Sequence, residues 1–268
     1  MASWSSFSSS VNTRHAIRSF SLPTRSHQST LQVEEELAIL KTWESSMSCI
    51  HDAKSICIGL TCLEKVYACV DDLLSLPLAQ KSLSHSQHEK LVDELLVRSM
   101  RLLDICGSIR DVVSQVKGHV RDIQSAQRRR KENVTIDASF LKKLKKTAKK
   151  SVEKLKQVDH IYGSKLLNLD NHLSSVIKVL RDVSEVSISV FGLLLTFLST
   201  SILKLKPRST KWLMVVKFIQ KGSVASKYQP QICAEILDCH VEAIENGLAS
   251  IFRSLIRTRG SLLNIKSH

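Results

Sequence analysis

Leu95, Leu102, Ile109, Val116 and Ile123 recur every seven residues, and Val92, Ser99, Cys106, Val113 and Val120 form a companion series. Five successive heptads with apolar residues at nearly every seam position describe a long helix packed in a bundle or coiled coil. Ser86 is the expected N-cap and Lys131 the approximate end, which gives a rod of roughly 70 Å. Gly107 and Gly118 are the weak points in its continuity. The rest of the chain is equally poor in interruptions, with 8 Gly and 4 Pro in 268 residues. Strands and tight turns depend on such residues, and no stretch alternates apolar and polar positions as a strand would. The expected fold is therefore all-α, a bundle of long antiparallel helices. The same scarcity disfavours enzyme folds built on Gly-rich loops.

Residues 1–30 contain ten Ser, three Arg and no acid. Such a composition cannot build a core, so this segment is expected to be a disordered tail, with 31–268 as one bundle domain. Thr30 is the expected N-cap of the first helix, with Glu34, Glu35 and Glu36 in its first turns and Leu31, Leu37, Leu40 and Trp43 on its apolar side. A second helix is expected from about Ile56 to Leu74, ended by Pro77, and residues 76–87 read as a connector. After the long helix comes a polar break at 132–139. A basic helix then carries a thin apolar stripe through Leu141, Leu144, Ala148, Val152 and Leu155. A further helix from about Asp170 leads into the uncharged run 186–203. Seven of the eighteen residues of that run are Ser, Thr or Gly. We expect it to be a helix at the bundle centre, with a membrane span as the alternative, since eighteen residues barely reach the length of one. A short helix near Trp212–Gln220 and a final one from about Pro230 to Arg259 complete the reading. The final helix is long enough to lie beside the heptad helix.

The net charge of +14 is concentrated. Residues 121–165 carry fourteen basic and five acidic side chains, whereas 31–120 are net acidic. The basic patch comprises Arg128, Arg129, Arg130, Lys131, Lys142, Lys143, Lys145, Lys146, Lys149 and Lys150. It reads as a solvated helical face, as an anion-binding surface for membrane or protein, or as a bipartite import signal read by an import receptor. Nucleic acid is an unfavourable partner, because the patch lacks interleaved aromatics and any groove-reading module. In the tail, Arg18, Ser19, Ser21 and Pro23 form an Arg-Ser-x-Ser-x-Pro motif. It reads as a flexible basic tail, as part of a cleaved transit peptide, or as a phosphorylation site for a phosphopeptide reader of the 14-3-3 type.

Enzyme signatures are not found: there is no GxGxxG, P-loop, HExxH or GxSxG. Asp71 and Asp72 are adjacent on a helix and diverge by about 100°, so solvation and capping are the expected roles. His85 and His88 read as a solvated first turn. The seven Cys have no zinc-type spacing and are expected to be reduced core thiols. No catalytic residue, metal site or cofactor is assigned.

Three phrases carry a resemblance: Val66-Tyr67-Ala68-Cys69-Val70-Asp71-Asp72-Leu73-Leu74-Ser75-Leu76-Pro77-Leu78; Val92-Asp93-Glu94-Leu95-Leu96 with Met100-Arg101-Leu102-Leu103-Asp104-Ile105-Cys106; and Arg18-Ser19-Phe20-Ser21-Leu22-Pro23-Thr24-Arg25. Together they resemble the plant-specific BYPASS-related family, in order, from about residue 14 to the C-terminus. The resemblance implies a role in root and shoot development and in restraining a root-derived mobile signal. It supplies no catalytic residue and no cofactor. Gly192 departs from the acidic residue expected there and makes the 186–203 run more apolar. The resulting expectation is a non-enzymatic adaptor or regulator of the cytoplasm, with the nucleus as a second compartment, working through protein or anionic-surface contacts. The alternative is a membrane-associated protein using 186–203 and its basic flanks, or an organellar one if 1–30 is a transit peptide.

Overall fold

A computed structural model describes residues 21–47, 52–129, 170–204 and 229–267, together with Ser139, Lys142, Lys146, Thr147, Lys149, Lys150 and Glu153. The principal elements are α1 (Ser21–Ser46), α2 (Ala53–Ser75), α3 (Pro77–Ser84), a 3-10 turn at Ser86–His88, α4 (Glu89–Arg128), α5 (Asn171–Lys204) and α6 (Gln229–Ser267). Among the described residues there is no strand. Of the expected break at 132–139 only Ser139 is described, and it is helical; the expected helix at Trp212–Gln220 and the tail at 1–20 lie outside the described residues.

The heptad helix is α4, and both of its seam series up to Val120 are buried, the polar Ser99 included. Gly107 and Gly118 do not interrupt it, because a single glycine costs a helix only about 1 kcal/mol. α2 begins where Asp52 caps it, its carboxylate accepting the Ser55 amide at 2.9 Å. Its apolar face, Ile56, Leu60, Leu63, Val66, Val70, Leu73 and Leu74, is closed to solvent.

Several boundaries differ from expectation. α1 starts at Ser21, nine residues before Thr30, so 21–30 are helical and Thr30 is a buried mid-helix residue, not a cap. Pro23 falls in the first turn, where its missing N–H costs nothing. The buried face of α1 is Val33, Leu37, Leu40, Trp43 and Met47, and Leu31 stays 44% exposed. Pro77 does more than end α2. It occupies the first position of α3, so the supposed connector is mostly helix and buries Ala79 and Leu83. Ser86 opens a 3-10 turn without a side-chain cap, and α4 starts at Glu89. α6 runs eight residues past Arg259, because Leu262 and Ile265 continue the buried period.

Directions follow from the contacts. α1 and α2 form a hairpin, with Trp43 Nε1 donating to the Ser55 carbonyl at 2.9 Å. α6 runs parallel to α2, since Glu64 meets Ser250 and Asp71 meets Arg257. α4 is antiparallel to α6, as expected, with Lys117 on Glu245 and Lys266 on Asp93. α5 follows α1, with Lys41 near Asp182 and Glu44 on Ser189. Hence α1, α4 and α5 point one way and α2 and α6 the other. Within α5, Val186, Ser187, Val190, Phe191, Leu194, Leu195, Phe197 and Leu198 are buried, so the uncharged run lies in the core. Among the described residues, no helix is long and apolar enough to cross a membrane.

One close approach is set by glycine. A Cβ on Gly59 would stand 2.2 Å from the Trp43 ring, whereas a Cβ on Gly118 would meet nothing within 4 Å. The same substitution should therefore have opposite signs. Gly59→Ala is expected to destabilise by about 1–3 kcal/mol through overpacking. Gly118→Ala is expected to stabilise by about 0.5–1 kcal/mol through helix propensity. Urea unfolding of the two variants beside the parent checks both.

Candidate functional site

Two sets of polar residues compete for attention, one inside the bundle and one at its basic end. The interior set begins with Glu94 on α4, only 2% exposed. One turn on, Arg98 donates to it through Nε at 3.1 Å. Arg181 of α5 grips both carboxylate oxygens, at 3.0 and 2.6 Å. A fork of this kind is the strongest geometry available to a carboxylate. Beside it, Arg259 of α6 donates to the Leu96 carbonyl at 2.7 Å and to Ser99 at 3.3 Å. Tyr67 and Ser187 share a buried hydrogen bond of 2.9 Å between α2 and α5, and Ser187 also donates to the Val183 carbonyl. A cavity of about 40 Å³ lies among Tyr67, Arg98, Ser99, Ser184 and Thr258. That is room for only one or a few waters, too small for an organic substrate.

This interior was not singled out in the sequence. Glu94 and Arg98 are spaced as an ordinary surface pair, and Arg181 lies 87 residues away. Only Ser99, a polar residue on an apolar seam, signals it. Asp71 was expected to be solvated. It instead accepts from Arg257 at 2.8 Å and Thr258 at 3.1 Å, bonding α2 to α6, because α6 brings both donors alongside it. Asp72 is exposed. His85 and His88 approach to 5.6 Å between ring centroids, tilted by 46°. The Nδ1 of His88 is already committed to the Ser82 carbonyl at 2.8 Å.

The thiols differ in setting. Cys106 is buried and directs its sulfur toward the Leu248 carbonyl. Burial pushes its pKa up to about 12. Burial likewise raises Cys57, Cys62 and Cys69, so all four favour the unreactive thiol form. Cys239 is exposed. Among the described residues, no group of three His, Cys, Asp or Glu is arranged to hold a metal.

The basic end is built on the last turns of α4. Arg121, Gln124, Ser125, Arg128 and Arg129 line a cleft with Asp238 of α6. Arg121 approaches Asp238 to 3.9 Å. Arg128 and Arg129 are exposed at the helix C-terminus, where the macrodipole favours cations. Lys142, Lys146, Lys149 and Lys150 are helical and exposed, and Lys149 meets Glu153 at 4.0 Å, one turn on. Arg130, Lys131, Lys143 and Lys145 lie outside the described residues, as do Arg18 and Ser19 of the tail motif. Ser21 and Pro23 sit in the first turn of α1.

The interior generates two predictions. Glu94→Ala strands two guanidinium groups in a closed environment and should cost about 3–5 kcal/mol. The triple change Glu94→Leu, Arg98→Met and Arg181→Leu should recover most of that loss, read by chemical denaturation of both variants. The second concerns alkaline pH. Burial raises Cys106 from 9.0 to about 12 and raises Tyr67 as well. A raised folded-state pKa means stability is fully present below the unfolded value and is lost as pH climbs toward the folded one. Unfolding free energy should therefore fall progressively from about pH 9 to pH 12. Tyr67→Phe combined with Cys106→Ala should flatten that slope in urea melts taken across the range.

Neither a search of curated proteins nor one of solved structures found a match to this chain. A family model described as Protein BPS1 does match, over residues 59–235 and 231–265. Those segments take in α2, α3, α4, α5 and α6 from Gly59 onward, along with the interior Glu94–Arg98–Arg181 cluster and the basic region, and the chain belongs to the BPS1 family.

Proposed function

We propose that this protein is a non-enzymatic adaptor or regulator in plant root and shoot development, acting through anionic partners at its basic end. Family membership implies the developmental role. The observation that carries the molecular reading is the contrast between two populations of cations. Arg98, Arg181 and Arg259 are consumed inside the bundle by Glu94, the Leu96 carbonyl and Ser99. Arg128, Arg129, Lys142, Lys146, Lys149 and Lys150 face solvent. Exposed guanidinium and ammonium groups contribute little to folding and are available to carboxylates or phosphates.

The cavity beside the Glu94 cluster, about 40 Å³, is too small for an organic substrate. Partner classes that suit the basic end are an import receptor with acidic grooves, an acidic protein surface, or an anionic membrane headgroup layer. The tail motif Arg18-Ser19-Phe20-Ser21-Leu22-Pro23 adds a candidate contact for a phosphopeptide reader. The proposed compartment is the cytoplasm, with nuclear entry through the basic segment. Membrane association through insertion of 186–203 is the weaker reading, because the side chains of that run up to Leu198 are largely buried against neighbouring helices.

The test replaces Arg128, Arg129, Lys142, Lys146, Lys149 and Lys150 with Gln. Capture by acidic liposomes and nuclear accumulation of a fluorescent fusion are measured alongside the melting temperature. At least one of the first two should fall strongly, while stability shifts by less than about 0.5 kcal/mol per site. Unchanged capture together with unchanged localisation would return the patch to a solvated helix face.

A further inference from the structure

Asp238 of α6 holds a carboxylate oxygen that the described residues leave unused. Its Oδ1 is closed to solvent, yet it accepts no hydrogen bond from them. Arg121 of α4 approaches it, but Nε stops 3.9 Å away, beyond hydrogen-bond range. The Arg121 side chain is itself 59% exposed, so it covers Oδ1 without engaging it. Elsewhere in the bundle a carboxylate with an arginine beside it is bonded directly: Glu94 takes Arg181 at 2.6 Å and Asp71 takes Arg257 at 2.8 Å. A closed acceptor left unmade is costly, and the cleft around it gives a ligand donor room to enter.

The surroundings say what else that ligand carries. The cleft has a volume of about 440 Å³, and Arg121, Gln124, Ser125, Arg128 and Arg129 line it with Asp238. That is the size of a small-molecule site. Arg121 and Arg128 are two turns apart on one face, about 10.5 Å along the axis. Gln124 and Ser125 lie between them, and Asp238 stands beside the Arg121 end. Three guanidinium groups outweigh one carboxylate and the roughly half-unit negative charge of the α4 C-terminus. Asp122 lies about 100° round α4 from Arg121, and Glu242 one turn along α6 from Asp238. Both are exposed and neither lines the cleft.

This lining separates the ligand classes. A single phosphate is too short to serve both ends. A nucleotide needs an apolar or aromatic face for its base, and the described lining has neither. An acidic peptide would be held by charge alone, and Asp238 repels its carboxylates. A phosphorylated polyol carries phosphates at separate positions with hydroxyl donors between them. Its phosphates suit the guanidinium forks, and a hydroxyl suits Asp238.

We infer that the cleft between the end of α4 and Asp238 binds a polyol carrying at least two phosphates, either free in solution or as a lipid headgroup. Arg121 and Arg128 take separate phosphates, and Asp238 accepts from a hydroxyl between them. Drawing Arg121 toward a phosphate uncovers Oδ1 for that hydroxyl. The inference rests on the reading of the basic end as an anion-binding surface and names the anion.

Calorimetric titration of the full chain at about 0.15 M salt tests it, with circular dichroism melts to confirm folding. The probes are inositol trisphosphate, which keeps free hydroxyls, and tripolyphosphate, which has none. Inositol trisphosphate should bind the parent, and Arg121→Gln and Arg128→Gln should each weaken it more than about tenfold. Asp238→Ala should weaken inositol trisphosphate about five- to tenfold while leaving tripolyphosphate unchanged or tighter, a split that a folding defect does not produce. Gln at Lys142, Lys146, Lys149 and Lys150 should change the inositol trisphosphate affinity by less than about threefold, since screened charges outside the cleft act weakly. Vesicles containing phosphatidylinositol bisphosphate, set against phosphatidylserine vesicles of equal charge, separate the sources. Capture by the first that inositol trisphosphate competes away assigns the headgroup, and binding of the free compound alone assigns the soluble form. No binding of inositol trisphosphate, indifference to Arg121→Gln, an equal effect of Asp238→Ala on both anions, or displacement by oligoglutamate at equal charge would each overturn the inference. In every such case, loss of acidic-liposome capture or nuclear accumulation on replacing the six exposed cations with Gln would leave the broader reading of the basic end standing.

Discussion

Glu94 is a buried anion held by two cations from two helices, and the register of the bundle turns on it. Its Oε1 accepts from Arg98 and Arg181 and its Oε2 from Arg181 again. An ion taken out of water costs several kcal/mol unless its partners are in place. Sliding α5 along α4 by one turn would separate Arg181 from Glu94 by about 5.4 Å and leave both charges in a low-dielectric interior. Apolar heptads alone tolerate such a slip, because Leu, Ile and Val recur at the same positions one or two turns away. The charged contact penalises it. Tyr67–Ser187 and Asp71–Arg257–Thr258 apply the same logic to the α2–α5 and α2–α6 contacts.

That fixed register has a topological consequence. α4 and α5 run in the same direction, so Arg129 and Asp170 stand toward opposite ends of the bundle, separated by the length of a helix. The excess positive charge of residues 121–165 follows Val120, the last seam residue of α4 described as buried. Up to Val120 the helix seams govern residue choice, and a charge placed on them would be buried. Beyond that point Arg121, Arg128, Arg129, Lys142, Lys146, Lys149 and Lys150 are exposed, and their number is set by something other than packing. The interior charges are few and each has a partner, whereas those at the basic end are many and mostly of one sign.

The long helices were legible because period is a local property. Seven-residue recurrence identified α4 to within a few residues, and the 3.6-residue recurrence did so for α2 and α5. Misplaced boundaries came from residues with two meanings. Pro77 stops one helix and starts another, since its fixed φ suits the first position of α3. The final helix was expected to end at about Arg259, yet Leu262 and Ile265 remain buried beyond it and carry α6 onward. Thr30 looks like a cap only when the preceding Ser-rich segment is taken as irregular. The interior site was not legible, since its contacts between helices span 87 to 163 residues and each member alone resembles a surface residue. The basic patch was legible as composition, and its exposure at the described positions agrees with that reading.

The uncharged run of α5 shows how a protein interior differs from a lipid one. A span in hydrocarbon would turn small polar residues inward or bond them to its own backbone. Thr196 does the latter, donating to the Gly192 carbonyl. Ser187 and Ser189 do more: one is hydrogen-bonded to Tyr67 and the other donates to the carboxylate of Glu44. Glu44 belongs to an α1 turn that also exposes polar residues to solvent, and Lys41, one turn earlier, reaches Asp182 of α5 at 3.7 Å. These partners tie the run to neighbours whose opposite faces are polar, which a helix surrounded by acyl chains cannot do. Gly192, where more polarity was expected, makes no difference to this argument. A Cβ there would meet nothing within 4 Å, so the position is not pressed against the core and its apolarity is not needed for packing. The burial within 186–198 is carried by Phe191, Leu194, Leu195 and Leu198 on one side and by the Ser187 and Ser189 contacts on the other, while Thr196 is exposed.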